Sequence, residues 1–283
     1  MNTESSPETT AIAVLAQQAL TPQPVTVGTV YTALSDRGGI EIIDTEKFLP
    51  HPCRVKGTFT VTDAASFVAY VNRHVLPGTE VYAHTSTSKV VAVINGHEGS
   101  GSKAGWSDHR LELILEHSKP WLEWLTTDGT WLNQIEFAEF IEDRALDVIE
   151  PDHARLIEIA TTFEAKKNAD FTSAVRLNSG AVQFGYSETV AAKVGQKGSI
   201  EIPKRIQLAI RPYIGGPIYS LWAQFRYRIS SDGLRLGYVL ERPENVLEAA
   251  FVDILSEIRD GKTDTEKQIH PGIGTVPIFY GHL

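Results

Sequence analysis

The sequence predicts an α+β fold: an antiparallel β-sheet or sandwich with flanking helices in the C-terminal half, a mixed α/β N-terminal half, and extended terminal arms. Three observations carry this. Residues 169–242 are a succession of β-rich runs broken by turn signals, two stretches at 134–149 and 243–261 repeat apolar residues at helical spacing, and the chain ends lack periodicity. The expected division is an N-terminal arm at 1–38, a mixed α+β region at 39–168, an antiparallel β region closed by a helix at 169–260, and an extended tail at 261–283.

In chain order, "MNTESSPETT" is polar and reads as a loose arm, and "AIAVLAQQAL" (11–20) predicts a short helix stopped by "TPQP". "VTVGTVYTAL" alternates in the strand manner, and "DRGG" turns it into "IEII". "CRVKGTFTVT" (53–62) predicts a strand. It leads into a helix with Thr62 or Asp63 as cap and Ala64, Phe67, Val68, Val71 and Val75 on one face. "TEVYAHT" and "KVVAVIN" predict a hairpin. A glycine-rich loop follows, then a third strand, "HRLELILE", which sends Leu111, Leu113 and Leu115 to one side and completes a meander.

"KPWLEWLTTDGTWLNQ" (119–134) reads as a turn of helix and a loop. The segment 134–149 predicts a helix with Ile135, Phe137, Ala138, Phe140 and Ile141 on its apolar face; a second helix over 152–167 has Asp152 at its start and Lys166 and Lys167 near its end, both favourable to the helix dipole. Strands are then predicted in "FTSAVRL", "VQFGYSETV", "SIEIP", "RIQLAIRPY", "IYSLWAQFRYRIS" and "LRLGYVLER", and an amphipathic helix over 243–261 has Pro243 near its start and Gly261 past its end. No regular element is predicted in the last 22 residues.

Composition narrows the function classes. At 283 residues with 42% apolar content the chain is long enough for a sizeable core. No window approaches the roughly 18 consecutive apolar residues of a membrane span, so no membrane partner is expected and the cytosol is the default compartment. The single cysteine, Cys53, rules out an internal disulfide and reads as an ordinary buried or half-buried thiol. A net charge of −9 argues against a general polyanion binder, but the charge is segregated. From Ala104 to Ala165 there are fourteen acids against four Lys/Arg; from Lys193 to Arg242 there are nine Lys/Arg against three acids.

The segment "GHEGSGSKAGWSDHRLEL" (96–113) concentrates groups capable of chemistry. His97, Asp108 and His109, with His84 on the preceding hairpin, are candidate ligands for zinc, iron or manganese in a metal-dependent hydrolase, because adjacent strands lie roughly 5 Å apart. Their spacing matches no metal motif. The plainer reading is an exposed connection in which Asp108 caps a turn and Trp106 anchors the loop on the core. Lys103 suggests a phosphate loop, but the Walker order is absent and a strand follows. Glu139, Glu142 and Asp143 read as solvated helix acids. No nucleophile elbow or dinucleotide fingerprint is present, so no catalytic residue and no cofactor is predicted.

"YSLWAQFRYRIS" is more informative. Alternation sends Tyr219, Leu221, Ala223, Phe225, Tyr227 and Ile229 to a core face, and Trp222, Gln224, Arg226 and Arg228 to the other. An indole beside two guanidinium groups suits single-stranded nucleic acid, or the acidic helices of another copy. At the tail, Ile278, Phe279, Tyr280 and Leu283 are too apolar to stay exposed; they either pack on their own domain or insert into a neighbour.

At "GWSDHRLEL", "FAEFIEDR", "FEAKK", "FRYRI" and "VLERP" the chain resembles the YfdQ-like family, a domain of unknown function met in phages and prophages, over roughly Gly39 to Asp260. The resemblance implies a phage or prophage origin and the cytoplasm of the bacterial host, and it supplies no activity. The expectation is a non-enzymatic structural protein whose partner is itself, assembled as a homo-oligomer, ring or shell through complementary charge and terminal arms. Single-strand binding and metal-dependent hydrolysis are the alternatives.

Overall fold

The computed structural model describes residues 7–20, 25–34, 38–99, 103–165, 174–176, 182–184, 192–193, 202–230, 233–264 and 267–281. They form an α+β fold, and the chain divides into two units, 1–56 and 57–283.

The first unit holds helix α1 (Pro7–Leu20) and an antiparallel hairpin of β1 (Val30–Leu34) and β2 (Ile40–Asp44), with Val30 opposite Asp44 and Leu34 opposite Ile40. The helix starts four residues before the apolar run that predicts it, with proline at its first position, where no amide donor is required. Buried Thr45 ties the hairpin base: its hydroxyl donates to the Thr29 carbonyl (2.6 Å) and accepts from the Gly28 amide (3.0 Å). Little else here is buried. Every residue of β2 is exposed, Ile40 at 74% and Ile42 at 71%, and so are Ile12, Val14 and Leu15 of α1. Cys53 is exposed too, which corrects the expected buried thiol; a unit this short has little interior to place it in.

The second unit begins with β3 (Gly57–Val61), α2 (Ala64–His74), β4 (Glu80–His84), β5 (Lys89–Val93), β6 (His97–Glu98), β7 (Lys103–Ala104) and β8 (His109–Ile114). It continues with α3 (Lys119–Thr127), α4 (Gln134–Asp143), β9 (Val148–Glu150), α5 (His153–Thr162), β10 (Glu164–Ala165), β11 (Ala174–Arg176), β12 (Val182–Phe184) and β13 (Ala192–Lys193). Strands β14 (Arg205–Ile210), β15 (Tyr219–Ser230) and β16 (Gly233–Leu240), helix α6 (Pro243–Asp260), and β17 (Gly261–Asp264), β18 (Lys267–Pro271) and β19 (Ile278–Tyr280) complete it.

One sheet runs β19-β4-β5-β8-β3. Its centre is the expected meander, and both edge strands are parallel to their neighbours. Alternate residues Val81, Ala83, Val90, Ala92, Leu111 and Leu113 share one core with α2 and α6. Helix α2 is capped as expected, Asp63 accepting from the Ser66 amide (2.8 Å), but Val75 has left the helix and is exposed.

The other sheet runs β12-β11-β15-β14-β9, with β16 also paired to β15. Residues Ala223 and Gln224 pair with both β14 and β16, so these strands occupy opposite edges of β15. Helices α3, α4 and α5 cover one face, burying Trp121, Trp124, Phe137, Ile141, Leu156 and Ile159 against Leu208, Phe225 and Tyr238. The expected single turn at 119–134 is a nine-residue helix, because Ser118 caps it by accepting from the Trp121 amide (3.2 Å) and Pro120 sits in its first turn. Ile135 stays exposed at the start of α4, and α5 ends at Thr162. Ile202 and Pro203 lie outside any strand; Lys166, Lys167 and the turns at 178–180 and 195–198 fall outside the described residues.

The tail differs most from expectation. It forms an antiparallel hairpin of β17 and β18, then β19, which lies parallel to β4 with Ile278 opposite Val81. The Val81 amide donates to the Pro277 carbonyl (2.9 Å) and the Gly281 amide to the Ala83 carbonyl (3.0 Å). The strand is three residues long and its partner lies almost two hundred positions earlier, so no local pattern announces it. Among the described residues no helix is long and apolar enough to cross a membrane.

Candidate functional site

Strand β15 divides as its alternation predicts. Leu221, Ala223, Phe225 and Ile229 are buried beneath the helices; Trp222, Gln224 and Arg226 are half-buried on the other face, and Arg228 is exposed. Register brings further groups to that second face. Arg205 lies opposite Gln224 and Gln207 opposite Trp222; across the other edge, Gly237 lies opposite Arg226 and Arg235 opposite Arg228. Two guanidinium groups stack on indoles: Arg205 lies 4.4 Å from the Trp222 ring centre and Arg228 lies 5.1 Å from that of Trp131. Arg205 also pairs with Glu241. The Arg226 Nε is buried with no hydrogen-bond partner among the described residues. A groove of about 650 Å³ continues this face past Ser220, Trp222, Gln224, Val239, Arg242 and Asn245.

Trp131 reaches this face because the chain after α3 runs along the free edge of β16. Leu132 and Leu236 exchange two amide-to-carbonyl bonds of 2.8 Å, and the Gly129 amide donates to the Tyr238 carbonyl (3.0 Å). The close approach depends on Gly237, where a Cβ would stand 2.5 Å from the Thr130 carbonyl oxygen. Glu136, Glu139, Glu142 and Asp143 are exposed on α4, which packs on the sheet's opposite face. The α4 acids and the arginines of β14, β15 and β16 therefore lie on opposite faces of this sheet.

The glycine-rich loop is itself a small hairpin, β6 with β7, stitched by the Gly105 amide donating to the Gly96 carbonyl (2.9 Å) and the Ser107 amide to Asn95 (3.1 Å). Its four candidate ligands have separate partners. His84 contacts Thr87, His97 Nδ1 lies 3.2 Å from a Glu80 oxygen, and Asp108 accepts from the Asn95 amide group (2.8 Å). His109 is buried, and its Nε2 shares a 2.9 Å hydrogen bond with the Tyr70 hydroxyl. Among the described residues no group of three or more His, Cys, Asp or Glu is placed to hold a metal. Trp106, expected to anchor the loop on the core, is 77% exposed. Asn95 takes that role, since its side chain joins Asp108 to the His109 amide (3.0 Å). Lys103 is exposed and followed by β8, not by a helix.

The surroundings of His109 perturb its titration. Burial pushes its imidazole below the ordinary value; His74, with ring centres 5.4 Å apart, adds to this, and Asp108 opposes it. Burial raises the Tyr70 phenol. At the tail, Ile278 packs on the core, while Phe279 lies 5.5 Å from the Tyr82 ring and stays partly exposed with Tyr280.

A family described as an uncharacterized conserved protein family, DUF2303, matches residues 1–275. The chain belongs to DUF2303. No curated protein and no solved structure matches it.

In this DUF2303 protein, alternation alone found Trp222, Arg226 and Arg228, but Trp131, Arg205 and Arg235 were missed. Arg205 and Gln207 carry a usable signal, because "RIQLAI" alternates polar and apolar residues. Trp131 carries none; only the bridge from Leu132 to Leu236 places it.

Proposed function

We propose that this protein is a structural component that assembles with copies of itself, and that the N-terminal unit makes the contact. The observation that carries the reading is the exposed hairpin: Val30, Ile40, Ile42 and Ile43 remain in solvent on a ribbon with apolar residues on both faces. An isolated two-stranded hairpin is marginal in water, and exposed apolar surface on this scale marks an interface. Its open strand edges offer unpaired amides and carbonyls to a further strand. A second copy presents the same apolar ribbon, which suits a self-complementary contact.

The C-terminal tail is not part of this reading, because β19 already pairs within its own chain. The acidic helices and the arginine face of the second unit offer complementary charge as a secondary contact between copies. The YfdQ-like resemblance supports a phage or prophage origin, with the bacterial cytoplasm as the place of work. Light scattering coupled to size exclusion tests the assembly. The expected species is a multiple of 31.2 kDa, and the double substitution Ile40→Lys with Ile42→Lys reduces it to a single copy. A 31.2 kDa species for the unmodified protein at micromolar concentration overturns the proposal.

A further inference from the structure

We propose that the face formed by β14, β15 and β16 holds single-stranded nucleic acid. This goes beyond self-assembly, whose primary contact is the N-terminal hairpin and not this face. Four arginines, Arg205, Arg226, Arg228 and Arg235, share the face with two tryptophans supplied by separate segments. Six residues along β15 separate Trp222 from Arg228 and its stacked Trp131, about 20 Å at the strand rise. The ligand must therefore be extended, anionic at intervals and flat between its charges. A single strand meets all three conditions; a duplex keeps its bases stacked inside and gives the indoles nothing to contact.

The arginines divide by what already holds them. Arg205 is neutralised by Glu241, so it props Trp222 from one side. Arg228 is exposed and lies over the Trp131 ring, and its guanidinium N–H groups can reach a phosphate. Arg226 is half-buried on this face and adds its positive charge there. Arg226 and Arg228 on β15, with Arg235 opposite Arg228 on β16, thus form a small cationic cluster. With a net charge of −9 on the whole chain, attraction depends on this local cluster of arginines, and binding is salt-dependent.

The test uses the full chain and fluorescein-labelled oligothymidylate or oligouridylate of about 20 nucleotides, longer than the roughly 4–16-nucleotide footprint of a single-strand-binding module. The two probes distinguish DNA from RNA, and binding of either supports the proposal. With three phosphates engaged, log K falls against log salt with a slope of about −2. Arg226→Ala with Arg228→Ala reduces the slope by about 1.4, and Trp131→Ala weakens binding about tenfold. Arg228→Lys keeps the slope while losing the stack. Because Arg228 is exposed, Arg228→Ala alone is the variant safest for folding, and its expected slope change is about 0.7. No binding of either probe at about 50 mM salt overturns the proposal. So does binding that Arg228→Ala leaves unchanged, and so does loss of the oligomer in Arg226→Ala with Arg228→Ala without oligonucleotide binding, which assigns the face to the acidic helices of a second copy.

Discussion

His109 shows how one buried residue links folding to pH. Its ring is closed in by Phe59 of β3 and by Tyr70 and His74 of α2, its backbone amide donates to the Asn95 side-chain oxygen, Arg73 is near the Tyr70 phenol and Asp108 is adjacent in sequence. Burial, then the neighbouring His74, holds its pKa below the ordinary 6.5. The unfolded chain therefore binds a proton at a higher pH than the folded chain does. Stability from this site is complete above 6.5 and declines as pH falls below it toward the lower folded value. The expected result is a urea midpoint that drops between about pH 7.5 and pH 5.5, with a smaller drop in His109→Gln, whose amide can still bond Tyr70 but does not titrate in this range. Equal slopes for the two proteins would show that other histidines set the dependence.

At the scale of elements, legibility followed the distance between cause and signal. Helices α2 and α6 were readable because caps and periodicity lie within the element: Asp63 bonds Ser66, and Pro243 and Gly261 bracket a stripe of Ala250, Phe251, Ile254, Leu255 and Ile258. The two faces of β15 were readable because period two needs no partner. Strand β19 and the Trp131 segment were not, since each is fixed by pairing with a distant strand. Strand β19 also matters energetically. It covers the edge of β4, and Ile278 contributes to the core. Removing residues 277–283 is expected to lower stability by roughly 2 kcal/mol or more, from lost apolar burial and the edge hydrogen bonds to β4. It also leaves β4 with an open edge, so light scattering after refolding is expected to rise with protein concentration. An unchanged urea midpoint would mean that the tail contributes nothing to the sheet.

Across the whole molecule, two kinds of unsatisfied surface coexist, and salt separates them. The N-terminal hairpin is apolar, and association through it does not weaken as ions are added; sulfate and phosphate strengthen such burial. The arginine face and the acidic outer side of α4 act through charge, and their reach shrinks from about 10 Å at 0.1 M salt to about 3 Å at 1 M. If the hairpin holds the copies together, the assembly keeps its mass when sodium chloride is raised from about 0.1 M to 1 M, while oligonucleotide binding is lost over the same range. Mass measured by light scattering and anisotropy measured on the same samples follow the two processes independently. An assembly that falls to 31.2 kDa at 1 M salt is held by complementary charge, and the exposed isoleucines are then not its contact.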